Sequence, residues 1–171
     1  MKRKNVVDTI NSLSGDMGHY KILNVYNELD PLPRGYKLKW YDAWCAATVS
    51  AVFIMNGYDA IAECGCPQML LKAKKLGIWV ENDSYIPDLG DIIMYDWQDS
   101  GVGNDTGEPD HVGIVTDVDR VNDMITVREG NNYGDIRNRY IRINARYIRG
   151  YITPPYDDEI ESIIDSLYNK E

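Results

Sequence analysis

Three residue types spaced along the chain can together attack an amide: Cys45, His111 and the turn Glu129-Gly130-Asn131. A thiolate attacks a carbonyl, an imidazole takes up and returns the proton, and a carboxylate or amide holds that imidazole in the productive tautomer. Each has a plainer account when taken alone. A single cysteine in an apolar stretch is often core, a histidine at a strand end is often a surface residue, and acid-Gly-Asn is a common turn. Their order, Cys then His then Glu or Asn, favours the chemical reading over the plain one.

The elements that must position these residues are legible in the hydrophobic pattern. Cys45 falls in Trp44-Cys45-Ala46-Ala47, in the first turn of a predicted helix over 43–56 that is apolar nearly all round, capped by Asp42 and closed by Gly57. Such a helix is buried, and its free N–H groups and dipole favour an anion at its start. His111 opens a predicted strand over 111–118, after a polar loop over 101–110. Val121-Asn122-Asp123 then reads as a hairpin turn into a strand that Glu129-Gly130-Asn131 ends, so Glu129 or Asn131 could reach His111. Further helices are expected over 17–29, stopped by Asp30-Pro31, and from Pro67 to Gly77. Short β-rich runs occupy 91–97, 124–128, 136–143 and 149–153. Helices first and strands afterwards predict an α+β fold with an antiparallel sheet. After Pro154-Pro155, Ile160, Ile163, Ile164, Leu167 and Tyr168 share one face of an acidic helix over 156–171, set apart from a single catalytic domain over 1–155.

The motifs then become specific. Trp44-Cys45-Ala46-Ala47-Thr48-Val49-Ser50, Gly90-Asp91-Ile92-Ile93, Asp110-His111-Val112-Gly113-Ile114-Val115, Glu129-Gly130-Asn131 and Gly150-Tyr151 follow one another as in CHAP domains. The chain resembles that family of cysteine, histidine-dependent amidohydrolases and peptidases, relatives of the NlpC/P60 hydrolases, over about residues 40–154. The resemblance implies a papain-like fold, with the nucleophile at the start of a buried helix packed on the sheet. It implies Cys45 as nucleophile, His111 as general base, Glu129 as the orienting acid and Asn131 as a further polar member of the site. It also implies bacterial cell-wall peptidoglycan as the partner, cut as an endopeptidase or an N-acetylmuramoyl-L-alanine amidase. The stretch after Tyr156 is too short for the wall-binding modules that CHAP hydrolases often carry.

Tyr41, Trp44 and Trp97 are candidates to line the cleft, in a chain with thirteen Tyr and four Trp against one Phe. Such rings offer sugar and peptide an apolar face with a polar edge. A net charge of −9 without a basic run argues against nucleic acid and anionic membrane as partners. No apolar run approaches the ~18 to 20 residues of a membrane span. Met1-Lys2-Arg3-Lys4 is followed by no apolar run of signal-peptide length, so synthesis without a Sec signal is expected, with release to the wall in a phage or prophage setting. Three cysteines make no disulfide framework. Cys64 and Cys66 lack enough partner ligands for zinc, and Asp8, Asp16 and Asp30 are not spaced as a calcium loop, so no metal and no cofactor is expected. Cys64 or Cys66 is expected to pack near the Cys45 helix, and His19 to be structural or exposed. Two rivals keep the same residues: a catalytically inactive CHAP-like binding module, and a thiol amidohydrolase acting on an amide outside the wall.

Overall fold

A computed structural model describes residues 1–82, 84–99 and 107–168. Its helices are α1 (Arg3–Asn11), α2 (Gly15–Asn27), α3 (Cys45–Met55), α4 (Cys66–Leu76) and α5 (Asp157–Tyr168), with a short 3₁₀ turn at Pro33–Gly35. Its strands are β1 (Trp79–Val80), β2 (Ile92–Tyr95), β3 (His111–Asp119), β4 (Met124–Asn132), β5 (Asp135–Arg142) and β6 (Ile148–Ile152). They form one sheet in the order β1-β6-β2-β3-β4-β5, with every neighbouring pair antiparallel. The fold is therefore α+β, helices first and strands after. The loop expected over 101–110 lies partly outside the described residues, as do the side chains of Ile160 and Ile163 in α5.

The organising element is α3. Every residue from Cys45 to Phe53 is buried, as a helix apolar nearly all round requires. It packs against α2 on one side and β3 and β4 on the other. The larger core joins α1 to α4 with Ile92, Met94, Val112 and Ile114. Ile93, Tyr95, Val115, Ile125, Val127 and Tyr151, pointing the other way by strand alternation, build a smaller core on the opposite face. The sheet is thus covered on both sides near its centre.

Several boundaries differ from the sequence expectation for local reasons. Asp42 does not cap α3. Its carboxylate accepts instead from the Lys39 N–H at 2.7 Å and the Tyr36 hydroxyl at 2.9 Å, and Trp44 takes the N-cap position without a side-chain bond. Gly77 closes α4 in the left-handed conformation, φ 71°, as its position before Ile78 predicts. The hairpin at 120–123 joins β3 to β4, with Asp123 at φ 55°. Helix α1 was not foreseen, because Lys and Asp interrupt its short apolar stripe; only Val6 and Ile10 are buried in it. Its role is to deliver Arg3, which pairs with the buried Asp91 at 2.8 Å.

Candidate active site

Cys45 begins α3 and is 7% exposed; His111 begins β3 and is 8% exposed; Glu129, on β4, has no exposed surface. Tight backbone approaches bring them together. A Cβ on Gly130 would lie 1.9 Å from Thr48 Oγ1 and 2.8 Å from Trp44, so only glycine lets β4 press against the first turn of α3. A Cβ on Gly113 would lie 2.7 Å from Glu129 Cγ, so the glycine two residues after His111 clears the space that the Glu129 side chain fills. Asn131 then adopts φ 55° where the β4–β5 register slips between Glu129 and Asn132, a conformation that asparagine tolerates.

The hydrogen bonds define roles. His111 Nε2 lies 2.9 Å from Glu129 Oε2, which leaves Nδ1 as the nitrogen available to the Cys45 thiol, and the two groups shift each other toward their charged forms. Asn132 Nδ2 donates to the same Glu129 oxygen at 3.0 Å, and Arg139 Nε donates to the other at 2.8 Å. Burial opposes the charge on Glu129, but the bonds from His111 and Arg139 outweigh it and hold the carboxyl below its ordinary value. Burial likewise opposes a charged imidazole, yet the bonds with Cys45 and Glu129 raise His111 to about 9. Cys45 is pulled well below the usual thiol range, first by a bond from Cys66 and then, against burial, by His111 and the Ala46 N–H. The resting site therefore favours a thiolate–imidazolium pair, with a buried carboxylate behind the cation.

A cavity of about 300 Å³ opens beside His111, walled by Trp97, Asn131, Asn132, Tyr133 and Arg139. Trp97 stacks on Tyr95 at 4.9 Å, and the Arg139 guanidinium lies 5.0 Å from the Trp97 ring centre. Of the three aromatic cleft candidates, Trp97 alone lines this cavity. Trp44 is 3% exposed and stacks on His19 at 3.9 Å, so it is core; Tyr41 is 95% exposed and stands apart from the cavity wall. His19 is buried between Trp40 and Trp44 rather than exposed, and burial lowers its pKa.

Two partners of the site, Asn132 and Arg139, escaped the sequence reading. Regular alternation from Glu129 points to Asn131, and it is the register slip at Asn131 that brings Asn132 to the Glu129 carboxylate instead. Arg139 reaches Glu129 only through the β4–β5 pairing, which sequence spacing does not reveal. Of the two cysteines expected near the Cys45 helix it is Cys66 that packs there, its sulfur 3.7 Å from that of Cys45. Among the described residues, no three His, Cys, Asp or Glu side chains gather as a metal site.

The family model for the CHAP domain matches residues 35–131, a span that contains Cys45, His111, Glu129 and Asn131. The chain belongs to the CHAP domain family, whose members are generally cysteine- and histidine-dependent amidohydrolases or peptidases, often directed at peptidoglycan. No curated protein and no solved structure matches it.

Proposed function

We propose that this CHAP-family chain hydrolyses amide bonds of cell-wall peptidoglycan through a Cys45 acyl-enzyme. What supports this reading is the convergence of a helix-leading thiol, an imidazole whose charge and that of the thiol favour each other, and a fully buried carboxylate on Nε2 of that imidazole. The Cys45 thiolate adds to the carbonyl carbon, and the developing oxyanion is met by N–H groups at the start of α3. His111 gives its proton to the leaving amine as the tetrahedral adduct collapses to a thioester. Neutral His111 then takes a proton from water, which attacks the thioester and releases the acid. Glu129 stabilises the imidazolium without itself being protonated.

Peptide bonds of the stem or cross-bridge suit the site better than the lactyl amide. Arg139 brings a cation to the cavity wall, where a peptide carboxylate can be held, and Trp97 offers an apolar face beside it. Arg139 engages Glu129 through Nε, whereas both terminal nitrogens of Arg128 are taken, by the Leu13 carbonyl at 2.8 Å and Asn138 at 3.0 Å, and Arg128 does not line the cavity. Digestion of purified Gram-positive walls, followed by mass spectrometry of the soluble fragments, tests this. New amines on D-alanyl or cross-bridge residues are expected, and intact stem peptides freed from muramic acid would assign amidase cleavage instead.

A further inference from the structure

The proposed cycle uses Cys45, His111 and Glu129 and leaves one buried thiol at the site without a part. Cys66, the first residue of α4, is 5% exposed, and its sulfur is 3.7 Å from the nucleophile, within sulfur hydrogen-bonding distance. The segment that carries it is fastened to the helix that carries Cys45. Ser50 of α3 donates to the Glu63 carbonyl at 2.7 Å and accepts from the Glu63 N–H at 2.9 Å. Lys72 ties the same segment to α4 by donating to the Ala62 carbonyl at 2.7 Å. The two sulfurs are thus held in register by bonds that involve neither of them.

We infer that Cys66 is a positioning residue for the nucleophile: its S–H donates a hydrogen bond to the Cys45 sulfur and holds that sulfur as the anion. The inference rests on the thiol-hydrolase reading above. A buried sulfur anion is costly unless donors surround it. Here His111 of β3 supplies one, the Ala46 N–H of α3 a second, and Cys66 of α4 a third. Only one member of a thiol pair can donate, and the surroundings decide which. Cys45 faces the imidazolium and a helix N-terminus. Cys66 faces the Cys45 sulfur and the charge of Asp110, and is buried as well; all three push its pKa up and keep its proton in place. Cys64, two residues earlier, is engaged elsewhere, accepting from Arg34 at 2.9 Å.

The test measures the pH profile of Cys45 alkylation in the full chain, from about pH 4 to about pH 9, with iodoacetamide and site-resolved mass spectrometry. Wild type is compared with Cys66→Ala, which removes the donor, and Cys66→Ser, which keeps one on a shorter arm. Both replacements are smaller than cysteine, and thermal melts establish that they fold. Loss of a hydrogen bond to a charged group should move the midpoint up by about one pH unit in Cys66→Ala, or about tenfold slower labelling on the acid side. Cys66→Ser should recover most of that shift, which a purely structural role would not produce. An alanine profile that superimposes on wild type, or equal shifts in alanine and serine, would overturn the inference while the thiol-hydrolase reading stands. A wild-type Cys45 that titrates as an ordinary thiol would overturn both.

Discussion

Glu129 and Asp91 are both carboxylates without exposed surface, near opposite ends of β2, and the structure treats them differently. Asp91 precedes β2 and is enclosed by fixed donors: Arg3 at 2.8 Å, the Tyr85 hydroxyl at 3.0 Å and the Asp88 N–H at 3.0 Å. Burial outweighs those donors and pushes its pKa up. Next to it, Tyr156 donates to the Gly90 carbonyl at 2.7 Å, and a Cβ on Gly90 would lie 2.6 Å from that hydroxyl. Glu129 has donors as well, but one is a histidine that interacts with the Cys45 thiol and itself borders an open cavity. A buried carboxylate ringed by permanent donors serves the fold. One whose partner can gain and lose a proton serves chemistry.

The sharpest break between the two ends comes from the nucleophile itself. Cys45→Ala and His111→Ala should each lower wall lysis by at least about a thousandfold with an unchanged circular dichroism spectrum, because each member of a nucleophile–base pair is required. Substantial lysis by either variant would place the chemistry elsewhere.

Glu129→Gln should cost less, roughly a hundredfold, since it removes orientation and charge but no bond-making atom. It should also move the alkaline limb. His111 is held at about 9 by its bonds with Cys45 and Glu129, so the imidazolium that protonates the leaving amine persists to that pH and activity falls above it. Without the Glu129 charge, the limb should shift toward lower pH in a kcat/KM profile. An unmoved limb would mean that Glu129 does not support the cation.

Asp91→Asn should leave turnover per folded molecule unchanged and lower stability by roughly 1–3 kcal/mol, because an amide nitrogen replaces one of the two oxygens that accept from Arg3, the Tyr85 hydroxyl and the Asp88 N–H. Chemical denaturation together with activity normalised to folded protein separates the two effects. A loss of kcat with full stability would erase the distinction between the two carboxylates.

The sequence made the helix–strand order and the Cys, His, Glu series legible because those signals are local: an apolar helix between Asp42 and Gly57, and short alternating strands separated by turns. What it hid depends on pairing between distant segments. Arg3 meets Asp91 across 88 residues, and Arg139 meets Glu129 across 10, contacts that no periodicity encodes. Trp44 reads equally well as cleft or core until His19 is found stacked on it. Asp42 shows the opposite failure: a good cap in isolation, it is drawn away by the Lys39 turn and Tyr36.

A thioester at Cys45 is the intermediate that sets this mechanism apart. Protein quenched in acid during digestion of purified walls, then cleaved and analysed by mass spectrometry, should carry a stem-peptide fragment on the segment containing Cys45, and Cys45→Ala should carry none. Turnover with no such adduct on the wild type, and lysis retained by Cys45→Ala, would contradict it.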